Sequence, residues 1–231
     1  MKPALLTILL SIFGTAVASA GGITGTISAA GKPQAEQTEG GKYDDRRYKF
    51  VERVNYTEMR DFIVYIDGPT GEKPAPPPDK PLVVNTRRIA QKGAVFTPHV
   101  LPVVVGTVVE WPNNDEIYHN VFSMSEAKSF DLDLYKGNPP EKRVTFDKAG
   151  RVDVFCSIHA NMYCVVLVLP NPHFAAVDDR GHYSITNIPP GTYTLKAWHE
   201  RLPAQTKEVT VPATGQVNVD FVLGITNLPK Y

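Results

Sequence analysis

The 231-residue chain has little of three things: cysteine, net charge and long apolar stretches. It contains two cysteines, and 24 basic residues balance 24 acidic ones. A nucleic-acid-binding surface needs concentrated positive charge, so this balance argues against nucleic acid as a partner. Beyond the N-terminal segment no stretch is long and apolar enough to cross a bilayer, and we do not expect a membrane-spanning protein.

The first 20 residues have the pattern of a secretory signal peptide. Lys2 precedes an apolar run from Ala4 to Phe13, and the segment ends in Ala18-Ser19-Ala20, an A-x-A cleavage pattern. The run is shorter than the roughly 20 apolar residues that a transmembrane helix needs. We therefore expect an exported protein, periplasmic or secreted, that loses residues 1–20.

The composition favours an all-β chain. Twenty prolines and 17 glycines punctuate short runs in which Val, Ile, Tyr and Thr alternate with other residues, a pattern typical of short strands. The mature chain is long enough for one or two domains, each with its own core. The proline-rich stretch at 74–78 cannot join a sheet interior and is interpreted as a domain junction, although its composition fits a surface loop equally well.

One short segment carries the ligand pattern of a soft metal. A strand-like run ends at Cys156, and Cys156, His159 and Met162 follow the spacing Cys-x2-His-x2-Met. A second imidazole, that of His119, lies upstream. Sulfur and imidazole ligands favour copper over magnesium, calcium or manganese, and two histidines, one cysteine and a weak axial methionine define a blue-copper electron-transfer site. The sequence therefore predicts one type 1 copper ion bound by these four residues.

Two alternatives concern the same part of the chain. In an exported protein Cys156 and Cys164 could form a disulfide, but this bond would leave His159 and Met162 without a role. Cys164 shares a predicted strand face with Met162, which favours a small buried thiol instead. His99 is either a further ligand or the polar end of a strand, and we favour the strand end.

Taken together, the two ligand segments resemble a cupredoxin. Trp111-Pro112-Asn113-Asn114-Asp115 precedes the first histidine, and the cysteine segment follows tens of residues later with a loop similar in spacing to that of amicyanin. The resemblance covers about residues 80–170 and implies a Greek-key β-sandwich in which Cys156 binds copper as a thiolate. It also implies that Asn120 hydrogen-bonds across to the ligand loop, where Ser157, beside the cysteine, is its partner, and such bonds orient metal ligands.

The remaining segments are similar to carboxypeptidase regulatory-like (transthyretin-like) domains, whose fold also resembles some carbohydrate-binding modules. The run Asp178 to Leu195 carries this resemblance, and strands predicted at 23–28 and 61–67 match the pieces that open such a domain.

We therefore expect a smaller transthyretin-like sandwich interrupted by the cupredoxin; a cupredoxin followed by an independent domain is the simpler alternative. The predicted divisions are a signal peptide at 1–20, N-terminal strands at 21–68, a linker at 69–79, a cupredoxin at 80–170 and a regulatory-like domain at 171–231.

The function that follows is transfer of single electrons between periplasmic redox partners, such as a c-type cytochrome or a dehydrogenase. A second class stays open: a cell-envelope or carbohydrate-binding protein, with a glycan or envelope component as its partner, whose copper is structural or trafficked. We do not expect an enzyme, because Cys156 is flanked by Phe155 and Ser157 rather than by the histidines that connect blue copper to a trinuclear centre in multicopper oxidases. The histidines after residue 170 are too scattered to predict a second metal site.

Overall fold

The computed structural model describes residues 20–31, 56, 60–70, 86–140 and 142–224. Residues 1–19 of the predicted signal peptide, the proline-rich stretch at 74–78 and the apolar run at 82–84, which we also expect to form a strand, therefore lie outside the described residues. Within the described part the regular structure is made of 18 β-strands, which confirms the predicted all-β class. No helix there is long and apolar enough to span a bilayer.

The strands are numbered in chain order. The first twelve are β1 (Gly21–Ala29), β2 (Ile63–Ile66), β3 (Thr86–Arg88), β4 (Ala90–Gln91), β5 (Phe96–Thr97), β6 (Val100–Val104), β7 (Thr107–Glu110), β8 (His119–Ser125), β9 (Lys128–Tyr135), β10 (Arg143–Phe146), β11 (Gly150–Phe155) and β12 (Tyr163–Leu169). The last six are β13 (Phe174–Ala176), β14 (His182–Ile188), β15 (Gly191–His199), β16 (Leu202–Val211), β17 (Gln216–Asn218) and β18 (Phe221–Leu223).

The two N-terminal strands belong to the same sandwich as the C-terminal ones. In one sheet β1 lies between β14 and the pair β17 and β18, with Ile23 opposite Ile185; the other sheet has the order β13-β2-β15-β16. Apolar side chains from both sheets, Val64 and Leu195 among them, form one buried core. The strands on either side of residues 86–169 thus make one folded unit, and the intervening strands are inserted into it.

The sequence from Val217 to Leu223 has the alternation of a single strand, but the structure interrupts it between β17 and β18. At the break, the Thr26 N–H and hydroxyl donate to the Asp220 carboxylate at 2.7 and 2.9 Å, so a side chain replaces a backbone acceptor in the ladder. A Cβ on Gly25 would lie 1.9 Å from the Val219 carbonyl oxygen. The close approach of the two backbones therefore requires glycine at this position.

Residues 86–169 form the second, larger sandwich. Its five-stranded sheet has the order β6-β12-β11-β8-β9, and β10-β7-β3 form a three-stranded sheet. Buried side chains between them include those of Val109, Trp111, Phe146 and Val154. In the register of β11 and β12, Val154 lies opposite Cys164. This sandwich carries the predicted ligands at one end.

The smaller sandwich covers the outer face of β12. Val165 of β12 packs in an apolar cluster with Tyr65 of β2, and the partly buried Trp198 of β15 packs against the same cluster. At the edge of this contact His99 Nε2 lies 2.9 Å from Glu200 Oε1. Both faces of β12 are therefore buried, which explains its unbroken run of apolar residues.

Candidate metal centre

The predicted ligands lie where β8 begins and where β11 turns into β12. His119 is the first residue of β8, and the other three lie in the loop between β11 and β12. Two backbone hydrogen bonds close this loop: the Met162 N–H donates to the His159 carbonyl at 3.0 Å, and the Cys156 N–H donates to the Met162 carbonyl at 3.2 Å. Because the loop is short and joined to strands at both ends, its side chains are held in place relative to β8.

Three side chains converge in this region. His119 Nδ1 lies 3.0 Å from His159 Nδ1, and Cys156 Sγ lies 3.7 Å from the same His159 nitrogen. One ligand atom from each residue lies within 4.8 Å of the other two. His119 is fully buried, Cys156 is 7% exposed and His159 is partly exposed. Among the described residues this is the one group of three or more His, Cys, Asp or Glu side chains arranged to hold a metal ion.

Met162, the fourth predicted ligand, is buried beside this group. Its side chain is 1% exposed and belongs to the same core cluster as Cys156. Its backbone bonds to Cys156 and to His159, so it closes the loop that carries both. A buried thioether next to a thiolate and two imidazoles has the chemistry of the weak axial ligand in a blue-copper site.

Asp115 is a site residue that the sequence showed only as part of the segment before the first histidine. Its Oδ2 accepts a hydrogen bond from His119 Nε2 at 2.8 Å. The same carboxylate accepts the backbone N–H groups of Gly93 and Ala94 at 2.7 and 3.0 Å. These backbone hydrogen bonds and the one from His119 lower the pKa of Asp115 to about 2. The one sequence feature that could have indicated this role is the position of Asp115 four residues before His119.

This carboxylate decides which nitrogen of His119 can bind a metal. An ionised carboxylate only accepts hydrogen bonds, so the proton of the neutral imidazole lies on Nε2. The lone pair of Nδ1 then points toward Cys156 and His159. Carboxylate–histidine pairs of this kind orient the ring and raise its basicity as a ligand.

Asn120 joins the two segments that carry the ligands. The Ser157 N–H donates to Asn120 Oδ1 at 3.2 Å, so the bond involves the backbone of Ser157. Asn120 Nδ2 donates in turn to Asp131 Oδ1 on β9 at 2.6 Å. Asn120 is 3% exposed. The buried amide of Asn120 thus connects two exposed residues, Ser157 and Asp131, and the bridge lies one residue after His119 and one residue after Cys156.

The two cysteines do not form a disulfide; both are free thiols. Cys164 is fully buried on β12, and burial raises its pKa well above the ordinary value for a thiol. It belongs to the same apolar cluster as Met162. Cys164 is thus a small hydrophobic core residue, and Cys156 remains free to act as a ligand.

The other histidines lie apart from the centre. His99 pairs with Glu200 of the smaller sandwich instead of joining the ligand group. His173 and His199 are buried in or near the smaller sandwich, and burial lowers the pKa of His199. His182 is exposed. These histidines form no second metal cluster among the residues that the structure describes.

The donor set suits copper. It offers one thiolate sulfur, two imidazole nitrogens and a thioether, whereas magnesium and calcium bind through several oxygen ligands. The carboxylate at the centre, that of Asp115, is already engaged by three N–H donors and faces the far side of His119.

Comparison with solved structures gives copper proteins. A copper-containing nitrite reductase from Thermus scotoductus SA-01 is 27% identical with a TM-score of 0.34, over 36% of this chain and 22% of that one. This chain thus spans less than a quarter of the reductase. A mutant of amicyanin in its reduced Cu(I) form at pH 4 is 24% identical with a TM-score of 0.31, over 35% and 79% of the two chains. A purple cupredoxin from Nitrosopumilus maritimus is 25% identical with a TM-score of 0.31, over 35% of this chain and 97% of that one.

Comparison with curated proteins gave no match. A family model for the carboxypeptidase regulatory-like domain matches residues 164–224, from β12 to the end of the described chain. The chain therefore contains a carboxypeptidase regulatory-like domain at its C-terminal end, and its neighbours among solved structures include cupredoxins.

Proposed function

We propose that this protein is an exported electron carrier with one type 1 copper ion. The ligands would be His119, Cys156, His159 and Met162. The observation that supports this proposal is the convergence of one sulfur and two imidazole nitrogens within 4.8 Å of one another, in a mostly buried group. When bound, copper supplies a one-electron couple between Cu(II) and Cu(I).

The residues around the centre would hold the ligands still while an electron moves. Asp115 restrains the ring of His119, and the backbone bonds of the ligand loop restrain Cys156 and His159. Asn120 connects the loop to β8. A site restrained in this way needs little rearrangement when its charge changes, which favours fast transfer.

The surface at His159 is the proposed point of electron entry and exit. His159 is partly exposed, whereas the other three ligands are buried. Three neighbours of the histidines in the chain are apolar and exposed: Ile117 at 49%, Tyr118 at 59% and Ile158 at 51%. Exposed apolar residues grouped in this way are typical of protein contact sites. A redox protein such as a c-type cytochrome or a dehydrogenase is the proposed partner.

We propose a carrier rather than an enzyme because the residues on either side of Cys156, Phe155 and Ser157, are not metal ligands that could connect the site to a second centre. The proposed periplasmic or secreted location depends on the signal-peptide pattern of residues 1–20. The regulatory-like domain would support the carrier by covering the outer face of β12.

Titration of the metal-free protein with Cu(II) tests this function. We expect one copper per chain, an intense visible absorption from the copper–thiolate bond and reversible one-electron reduction. Cys156→Ser should abolish the absorption, and Cys164→Ala, which alters the other thiol, should retain it. A colourless copper complex that releases its metal readily, or a protein that binds glycans without a redox-active metal, would contradict the proposal.

A further inference from the structure

We propose that Asp131 is a positioning residue of the metal centre and acts through Asn120 on the backbone of Ser157. Asp131 lies on β9 and contacts Asn120, whereas the ligands lie on β8 and in the loop after β11. Its connection to the centre is a relay of two hydrogen bonds, Ser157 N–H to Asn120 Oδ1 and Asn120 Nδ2 to Asp131 Oδ1. The role in metal binding depends on the copper site proposed above; the relay itself does not.

The carboxylate determines which way round the Asn120 amide lies. An amide side chain could turn either its oxygen or its nitrogen toward Ser157. The backbone N–H of Ser157 can only donate and an ionised carboxylate can only accept, so partners at the two ends of the amide allow a single orientation. Asn120 Nδ2 lies 2.6 Å from Asp131 Oδ1, and a hydrogen bond to an ionised acceptor is stronger than one between two neutral groups. Without this acceptor the Asn120 NH2, in a side chain only 3% exposed, loses the partner that orients it.

The local backbone holds Asp131 in place for this contact. Between Asn120 and Phe122 the pairing of β8 with β9 shifts register, because two steps along β8 correspond to three along β9. Asp133, in the irregular part of β9, has a φ of 55°, and its N–H donates to Asp131 Oδ1 at 2.8 Å. The same oxygen therefore closes the bulge and accepts from Asn120. Bulges next to functional sites commonly re-aim a side chain in this way.

The position of the relay gives it an effect on the metal site. Asn120 follows His119 directly, and Ser157 follows Cys156 directly, so the bridge connects the two ligand segments beside the ligands themselves. If the amide rotates, the Ser157 N–H loses its acceptor and the loop is less firmly attached to β8. Removal of groups that orient ligands typically costs about tenfold or more in metal affinity.

The experiment compares Asp131→Ala with Asp131→Asn. Asparagine retains an oxygen that can accept from both Asn120 and the Asp133 N–H, and alanine does not. In the metal-free protein, we expect hydrogen exchange of the Ser157 amide to become about tenfold faster in the alanine variant and to stay near wild type in the asparagine variant. In the copper-loaded protein, we expect about tenfold faster copper release for the alanine variant alone. If the Asp131→Ala protein does not fold, Asp131→Lys can be used in its place, because lysine also lacks a hydrogen-bond acceptor.

Two controls isolate the route through Asn120. Asp133→Asn removes a charge from the same strand and suits the left-handed backbone there, so it should leave both readouts unchanged. In an Asn120→Ala background, a further Asp131→Ala change should not accelerate copper release any more, because both changes break one relay.

The outcomes distinguish this inference from the proposed function. The inference would be overturned if the Ser157 amide exchanges hydrogen at the wild-type rate in the Asp131→Ala variant. It would also be overturned if the Asn120→Ala and Asp131→Ala changes have additive effects on the rate of copper release. Faster exchange with unchanged copper release would overturn the role of Asp131 in the metal centre. A wild-type protein that takes up no Cu(II) would instead refute the proposed function, since the Ser157 measurement needs no metal.

Discussion

Replacing Asp115 with asparagine should weaken the metal centre without removing a ligand. The change preserves the size of the side chain but removes its charge. The carboxylate accepts hydrogen bonds from two backbone N–H groups, of Gly93 and Ala94, and from His119 Nε2. A neutral amide has one oxygen to serve these donors, and its nitrogen is itself a donor. At least one of the three contacts must therefore be lost.

The size of the effect follows from the pKa of Asp115. Its decrease from 3.8 to about 2 corresponds to roughly 2 kcal/mol of stabilisation by the ionised carboxylate. The side chain is 14% exposed, so solvent screens part of this interaction, and we expect a loss of about 1 to 2 kcal/mol in the free energy of unfolding. Copper should also dissociate about ten to a hundred times faster, as when other groups that orient metal ligands are removed.

The effect on stability should depend on pH in a defined direction. A carboxyl whose pKa is lowered by folding stabilises the protein above its unfolded-state pKa, and this contribution is lost as the pH falls through the folded-state value. The difference in unfolding free energy between wild type and Asp115→Asn should therefore be constant above about pH 5 and should shrink between about pH 4 and pH 2.

Urea denaturation of the metal-free proteins at several pH values measures this difference. Glu116→Gln is the matched control, because it neutralises the next residue in the chain, whose side chain is 97% exposed. An Asp115→Asn protein with the stability and the copper release rate of the control would refute the conclusion that Asp115 holds His119 in place.

Three further predictions test other parts of the structure. In the metal-free protein a thiol reagent should modify Cys156 well before Cys164, which is fully buried with a raised pKa; equal rates would contradict the assignment of Cys164 to the core. Trp198→Ala should lower the free energy of unfolding by about 2 kcal/mol, because it removes packing between the two sandwiches. The two sandwiches should then unfold in separate transitions, while the copper spectrum stays unchanged. Coincident transitions would argue against this contact as the link between them. Gly25→Ala should destabilise the smaller sandwich by about 3 kcal/mol in urea denaturation, because its Cβ would lie 1.9 Å from the Val219 oxygen; wild-type stability would show that the strands can separate freely.

Much of the architecture was predictable from local patterns. The strands on either side of the ligand loop were expected from their alternating and apolar runs, and β11 and β12 occupy these positions. The run Arg143–Phe146 follows a Gly-Asn-Pro-Pro turn and alternates as a strand does, and β10 has these bounds in the structure. The segments at 23–28 and 61–67 resemble the opening strands of a domain whose other strands come after residue 170, and this resemblance predicts the insertion. In each case the signal is a pattern within a short segment of the sequence.

The roles of the two aspartates could not be predicted in this way. In the sequence Asp115 looks like an ordinary turn residue, because it follows a proline and two asparagines. Its contacts with Gly93 and Ala94 depend on how two loops that are distant in sequence meet. Strand β9, which carries Asp131, was not predicted, because Lys128–Tyr135 contains no β-branched residue, although its apolar and polar residues alternate as they do in a half-buried strand. The bulge that brings Asp131 to Asn120 is a property of the pairing between two strands. No single stretch of sequence contains it.

Strand β12 explains why the two sandwiches should be considered together. It begins directly after Met162, so it determines where the ligand loop ends. One face carries Cys164 in the core of the larger sandwich, and the other carries Val165 in the cluster shared with the smaller sandwich. A shift of β12 would therefore change the packing of both cores and the position of the loop at once. The inserted arrangement stabilises the end of the ligand loop from both sides, which is a physical reason for the regulatory-like domain to accompany the metal centre.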